Sequence, residues 1–576
     1  MMKSPVFLPT CSNWMHGTSG CERQGIKACG NCKLVVYCGI DCQKAHWPEH
    51  KKACRSSMAK ADWRPSWDRE GRVPHWASGE ASTNWHNMFG GNKYLWGNTP
   101  AVDVLNLEQN EGIEYKRDVA LLFAASGDLR HVVRTIASLP RNMMQQFDIT
   151  MNDLEFTVVA RNAILLLLAL TIQDSTTVEA STSPLSNPEV LIHVWYSASF
   201  PSCVLSQLRD RVKPLISEVC SKITNKPPST TLGKTWTFSN GRTLRLILKQ
   251  KEWLRLADFL DVPEEFSVED AAAIRRTVTL APERFDYRDR WYFKDSSPFM
   301  RIARQKFQDD GILAPFGYPR TAFDTPNPTF FQGQKGWPLD DKADPSDGWP
   351  VLDVRQTGWP APQDWYGKLF IYIHNMMERF LGRLQKTKIC FVLYNVDARD
   401  LPQHLEHSRY ARIEVANICD SGYIGIRDTL SLLSPLLQSP QQNVHATLIT
   451  IFINAVKEAV KRGNPKDETP NMEFLSKYLP LPRTFSMNDA DMMRIWDARD
   501  LALDVDRFFN RYMLLYDFKK ISADLGVEMK KSNTIMEKWP TQLKLKVGEQ
   551  GAEEEFRLHL GSGCANIERH VEWSRL

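Results

Sequence analysis

The stretch Cys29 to Cys54 reads CGNCKLVVYCGIDCQKAHWPEHKKAC, and its spacing of thiols and imidazole decides how the N-terminal segment folds. Cys29 and Cys32 form a C-x2-C knuckle, which brings two thiolates to one ion from a tight turn. Cys38/Cys42 and His50/Cys54 are each four positions apart, so each pair falls on one face of a short helix. Upstream lie Cys11 and Cys21, which complete the series Cys11-x9-Cys21-x7-Cys29-x2-Cys32-x5-Cys38-x3-Cys42-x7-His50-x3-Cys54. Eight ligands, at four per tetrahedral ion, predict two closed structural zinc sites with no open catalytic position.

The rest of the composition supports metal rather than disulfides. Seven of the 12 cysteines fall between Cys11 and Cys54. The start, MMKSPVFLPTCSNW, carries no apolar core of export-signal length, so the thiols are expected to stay reduced. The longest greasy run, Ala163 to Ile172, is short of the roughly 20 residues that span a bilayer. A net charge of +4 on 576 residues argues for neither nucleic acid nor an anionic membrane as partner. The basic stretch His50 to Lys60 reads as a solvated helix end rather than a DNA contact. These features predict a soluble, non-secreted protein of the cytoplasm or nucleus.

The phrase Tyr37 to Cys54 resembles the MYND zinc finger nearly throughout. That resemblance implies interleaved ligands, with Cys11, Cys21, Cys38 and Cys42 on one zinc and Cys29, Cys32, His50 and Cys54 on the other. Cys11 and Cys21 stand ten apart, wider than the family's first pair, and His16 lies in the gap as an alternative to Cys11. The family's fingers bind proline-containing peptides of partner proteins, so protein partners are expected. The fold class expected is a small zinc-stabilised α finger, residues 1–58, followed by a Trp-rich linker, 59–92, and a large α/β domain, 93–576. The linker's Trp63, Trp67, Trp76 and Trp85 keep no regular period and are expected to pack on the large domain.

In the large domain, Asp118-VALLFAAS-Gly127 is a short apolar run that ends in Gly-Asp and precedes the helical LRHVVRTIASL. FDITMND (Phe147 to Asp153) then precedes VVARNAILLLLAL, a second strand–helix unit, and two such units argue for a parallel sheet. Residues 174–365 read as a long, mainly helical insertion with turns at Pro227-Pro228 and Asn240-Gly241. The rhythm resumes with LFIYIHNMMERFLGRLQ, ICFVLYNVDARDLP, YARIEVANICD and HATLITIFINAV. KLKV and EEFRLHL, around Gly548 and Gly551, read as a closing antiparallel hairpin.

That order resembles the Rossmann-like fold of S-adenosylmethionine-dependent methyltransferases. WGNTPAVDVLNL, LLFAASGDLRHVVRTI, NDLEFTVVARN and IRDTLSLLSPLL are similar to a domain of fungal MYND proteins and, more distantly, of dynein axonemal assembly factors. The methyltransferase resemblance implies Gly127 and Asp128 beside the methionine part of the cofactor, Asp153 at the ribose, Asp397 near the adenine, and Asn417 or Asp420 near the methyl group. The first turn, Ala124-Ala125-Ser126-Gly127, has one glycine where methyltransferases have several, and Asp128 and Arg130 can pair structurally. The favoured expectation is therefore a non-catalytic, methyltransferase-like platform whose finger recruits partners. The alternative is a methyltransferase to which the finger brings substrate. Cys203, Cys220, Cys390 and Cys419 read as core residues, and His131 and His445 as satisfied polar groups.

Overall fold

The computed structural model describes residues 9–14, 20–77, 88–174, 184–294, 297–332, 336–486 and 488–576. His16 and Trp85 lie outside the described residues. The finger is not purely helical. A two-stranded antiparallel ribbon, β1 (Lys27–Ala28) and β2 (Val36–Tyr37), precedes the helix α1 (Ile40–Cys54). Because α1 begins at Ile40, Cys38 sits before the helix rather than on the same face as Cys42, while His50 and Cys54 do share one face of α1.

A nine-stranded sheet forms the centre of the large region. Its parallel core comprises β3 (Val119–Phe123), β4 (Phe147–Asn152), β6 (Thr243–Lys249), β7 (Ile389–Tyr394), β8 (Arg412–Glu414) and β9 (Thr447–Phe452). The order across the sheet is β10-β11-β9-β8-β3-β4-β7-β6-β5, with β5 (Thr231–Thr237), β10 (Val527–Met529) and β11 (Arg569–Arg575) as the remaining strands. β11 runs antiparallel to β9 and to β10, and β5 runs antiparallel to β6. In the centre, Leu121 of β3 pairs with Ile149 of β4 and with Arg412 of β8.

Both faces are covered at β3, β4, β8 and β9, as their near-continuous buried strands require, while β5 and β6 leave one face exposed. The helix α2 (Arg130–Ser138) follows β3 and packs on the long helix α5 (Trp365–Lys386). After β4, the helix α3 (Phe156–Asp174) is apolar on all sides and touches both β6 and β7 and the helices of the insertion. It is long and apolar enough to cross a bilayer, yet 89% of that stretch is buried inside the protein.

Two expectations need correction. The insertion 174–365, read as mainly helical, also supplies the hairpin β5–β6 that extends the main sheet beyond β7. Its turn holds Asn240 and Gly241 at φ of 57° and 70°, the left-handed pair that a tight hairpin needs. The second correction concerns KLKV and EEFRLHL, which form no hairpin. Irregular backbone covers the first, and the second lies in a helix, α6 (Ala552–Gly561). Glu553, Glu554 and Glu555 occupy the first turn of α6, where carboxylates complement the exposed N–H groups, and Glu555 accepts the N–H groups of Lys544 and Leu545. The antiparallel partners at the chain's end are β10 and β11 instead.

The finger docks on the insertion. Leu34, Val35 and Val36 are 0%, 2% and 3% exposed and belong to the same apolar cluster as the insertion's core. Trp14 Nε1 donates to the Gly317 carbonyl at 3.0 Å, and the Gln363 N–H donates to the Lys33 carbonyl at 3.2 Å. The approach is close enough that a Cβ at Gly317 would stand 2.1 Å from Ser12 Oγ. Further along, Trp63 packs against Phe293 with the Arg301 guanidinium over its ring. Trp67 and Trp76 meet edge-on, and Trp67 Nε1 donates to the Asn488 carbonyl. α4 (Pro298–Asp310) packs against residues 57–59 just after the finger.

Candidate functional site

The ribbon, the knuckle and α1 gather the eight sulfur and imidazole ligands into two groups. Cys11, Cys21, Cys38 and Cys42 form one, and Cys29, Cys32, His50 and Cys54 the other, with ligand atoms in each within 4.8 Å of one another. Within the first, Sγ of Cys38 is 3.6 Å from that of Cys21 and 3.4 Å from that of Cys42. Within the second, Sγ of Cys29 and Cys54 are 3.9 Å apart, and Cys32 Sγ is 3.4 Å from His50 Nε2. A tetrahedral zinc with bonds of about 2.3 Å to sulfur sets its ligands about 3.8 Å apart, so both donor sets fit that ion.

The surroundings suit thiolate ligands. The Asn31 amide donates to Cys54 Sγ at 3.2 Å, and the backbone N–H groups of Leu34 and Cys38 point at Cys32 and Cys11 sulfur. Burial raises the Cys32 thiol well above its ordinary range, so zinc must displace a proton there. His50 is held down to about 4 by burial and then by His46, which leaves the neutral imidazole that a metal requires. Zinc bound in these groups supplies folding free energy that so short a segment cannot draw from a core of its own.

The residues expected at a methyltransferase cofactor stand at the carboxyl ends of the parallel strands, and each is held by the protein itself. The Gly127 N–H donates to Asp153 Oδ2 at 3.0 Å, and the Glu155 N–H donates to Asp153 Oδ1 at 2.9 Å. Asp128 is ion-paired with Arg130 at 2.7 Å and also accepts the Gly97 N–H at 2.9 Å. Arg130 in turn donates to the carbonyl and the hydroxyl of Thr99. Segment 97–99 is thereby clamped over the end of β3. Asp397 caps the Arg399 N–H and pairs with its guanidinium. Asp420 accepts from the Ile453 and Asn454 N–H groups, and burial pushes its carboxyl up to about 6.

Three asparagines that the sequence reading passed over join the strand-end loops. Asn152 accepts the Ala125 N–H and donates to the Val396 carbonyl, Asn162 donates to the Gly127 carbonyl, and Asn395 donates to the carbonyls of Asp153 and Leu154. Asn152 and Asn395, polar residues closing apolar strands, carried the only local signal. Ala125 adopts φ of 56°, a left-handed conformation that glycine takes without steric cost. The cavity at the strand ends is lined by Thr99, Arg130, Glu414, Asn417 and His570 among others and holds about 30 Å³. A second, beside Asp128, Arg161 and Asn162, has no room for a water. Ligand pockets hold several hundred Å³, far more than either of these two cavities.

Comparison with known proteins agrees with the finger and leaves the rest open. The family model described as MYND finger matches residues 19–54, and a domain of unknown function, DUF4470, matches residues 95–200. N-lysine methyltransferase SMYD2-B of Xenopus laevis is 44% identical over 46 residues, 8% of this chain and 11% of that protein. N-lysine methyltransferase SMYD2 of Homo sapiens is 40% identical over 46 residues, with the same shares of 8% and 11%. The chain therefore spans about a tenth of the length of these relatives, and the likeness lies in the finger. No solved structure matches the chain. The N-terminal segment is a MYND-type zinc-binding module, of a kind that generally serves protein interaction, joined to a large mixed α/β region.

Proposed function

We propose that this chain is a zinc-binding interaction protein, an adaptor or assembly factor whose finger recruits proline-containing peptides of partner proteins. In this reading Cys11, Cys21, Cys38 and Cys42 hold one zinc, and Cys29, Cys32, His50 and Cys54 hold the other. The observation that carries it is closure: each group offers four ligands to an ion that takes four, and no position is left for a substrate. Two apolar side chains of the finger, Ile26 and Ile40, stay 61% and 65% exposed and offer a partner a surface the large region does not cover.

The large region is a Rossmann-like, methyltransferase-like platform without methyl transfer. Numbered by position in the chain and leaving aside the inserted hairpin, β7, β4, β3, β8 and β9 take the order 3-2-1-4-5, the doubly wound order. Its resemblance to domains of fungal MYND proteins and dynein axonemal assembly factors accords with a platform role in the cytoplasm or nucleus. The commitment of Asp128, Asp153 and Asp397 to internal hydrogen bonds supports the non-catalytic reading over the methyltransferase alternative.

The test is a proline-rich peptide array probed with the full chain, zinc-loaded and zinc-stripped, and with Ile40→Asp. Capture that needs zinc and weakens in the variant is expected. Capture indifferent to zinc, or no capture at all, removes the finger from partner recruitment.

A further inference from the structure

A further cavity opens beside the strand ends and shares Val102 with the small cavity there. It holds about 870 Å³, within the range of small-molecule pockets, and forms where α2, the insertion, α6 and the segment before α6 meet. Stretches spread from Pro100 to Cys564 build its wall, so no local motif announces it.

Its floor is apolar and thioether in character, with Met300, Met536, Val351 and Leu558 half-buried in the lining. Trp349 is buried with its ring against Tyr372, and Met300 and Ile535 line the same space. Such a surface favours a flat aromatic body, through apolar packing and sulfur–ring contact. The mouth carries charges of both signs, with Asp103, Asp353, Glu537 and Glu554 in the lining beside its cations. Arg134, Arg355, Lys544 and Arg557 all line the cavity, and each is paired with a carboxylate. In all four pairs the carboxylate is the more exposed partner: Asp353 43%, Glu554 57%, Glu537 62% and Glu553 74%, against 25%, 35%, 46% and 55% for the cations. Ion pairs this exposed contribute little, so a ligand's acid group displaces them at small cost. Asp347, also in the wall, accepts the Gly563 N–H, and burial and the neighbouring Asp344 raise its carboxyl, which lessens its repulsion of an anion.

We propose that this cavity is a binding site for a small aromatic acid, with Met300, Met536 and Val351 taking the ring and Arg134, Arg355 and Arg557 taking the acid group. The site uses neither the zinc ligands nor Asp128, Asp153 or Asp397, so it holds or fails independently of the adaptor reading.

The probe is anilinonaphthalene sulfonate, an aromatic sulfonate, titrated by fluorescence into the zinc-loaded full chain beside its uncharged analogue phenylnaphthylamine. One saturable site is expected, tighter for the sulfonate by about fivefold or more, a factor in keeping with one or two half-exposed charge contacts. Arg134→Gln with Arg557→Gln brings the two dyes to near-equal affinity, because only the charged contacts are lost. Val351→Trp, which fills the cavity from its wall, weakens both dyes. Circular dichroism and melting curves check that each variant is folded. Absence of a saturable site, equal affinity of the two dyes for the wild type, or indifference to both variants overturns the proposal.

Discussion

Asp153 and Gly127, the acid at the end of the second parallel strand and the glycine after the first, are hydrogen-bonded to each other at 3.0 Å, carboxylate to backbone N–H. In a nucleotide-binding sheet these two positions face a ligand between them. Here each satisfies the other, and Asp128 and Arg130 clamp segment 97–99 over the same strand end.

If that bond is structural, Asp153→Ala costs stability rather than ligand affinity. A loss of about 1–2 kcal/mol is expected, since a backbone N–H loses its charged acceptor. It is read as a fall in the urea midpoint, and Asp153→Asn, which keeps one acceptor oxygen, loses less. Calorimetric titration of S-adenosylmethionine into the zinc-loaded chain is expected to give no heat at millimolar ligand. Micromolar binding abolished by Asp153→Ala would instead make the strand ends a cofactor site.

The first turn holds Ala125 at φ of 56°, where a Cβ is strained by about 1–2 kcal/mol. Ala125→Gly removes that strain and adds some unfolded-state entropy, for a net gain of about 0.5–1 kcal/mol. A raised melting temperature checks it, and a lowered one would mean that the Ala125 methyl packs usefully.

Zinc removal is expected to destabilise the whole chain and not only the finger. Trp14 bonds to Gly317, Gln363 to Lys33, and Leu34 and Val35 are buried in the insertion's cluster. Under a strong chelator, or in Cys29→Ser, calorimetry should record the main transition moving down by on the order of 10 °C. A main transition that stays in place, with only a small separate one lost, would mark the finger as an independent unit.

Acid is expected to unfold the protein through its buried histidines. Burial holds His193 down to about 3 and His374 and His570 down to about 4, against about 6.5 when unfolded. Their stabilising contribution is complete above pH 6.5 and is lost as pH falls through the folded values, because the unfolded chain binds the proton first. Each adds about 1.4 kcal/mol per pH unit to the slope of stability between those limits. Urea midpoints from pH 7 to pH 4 should fall less steeply in His570→Gln than in the wild type. An unchanged slope would mean that His570 is solvated.

Much was legible in the sequence because it depended on local geometry. Spacing paired Cys29 with Cys32 and His50 with Cys54, because a knuckle and one helical turn fix those separations, and the resemblance to MYND fingers joined the two pairs on one ion. The strands at Val119, Phe147, Ile389, Arg412 and Thr447 were announced by apolar runs, because parallel strands are covered on both faces. The hairpin Thr231–Lys249 was not, since β5 alternates between exposed and half-buried residues at the sheet edge and leaves little apolar signal. EEFRLHL failed for a different reason: Gly548 and Gly551 suggested a hairpin turn before it, but three glutamates at a helix N-terminus and the contacts of Glu555 decided for α6.

The chain thus determined by itself which residues carry metal chemistry and which runs become strands and core helices, because these follow from residue type and period. Tertiary structure alone decided what those elements meet. It joined Gly127 to Asp153, laid Gly97 on Asp128, seated the finger's Val35 against Gly317, and opened a cavity between Arg134 and Arg557. Such contacts link residues tens to hundreds of positions apart, and their partners are chosen by packing and hydrogen-bond satisfaction across the whole fold, which no local window of sequence contains.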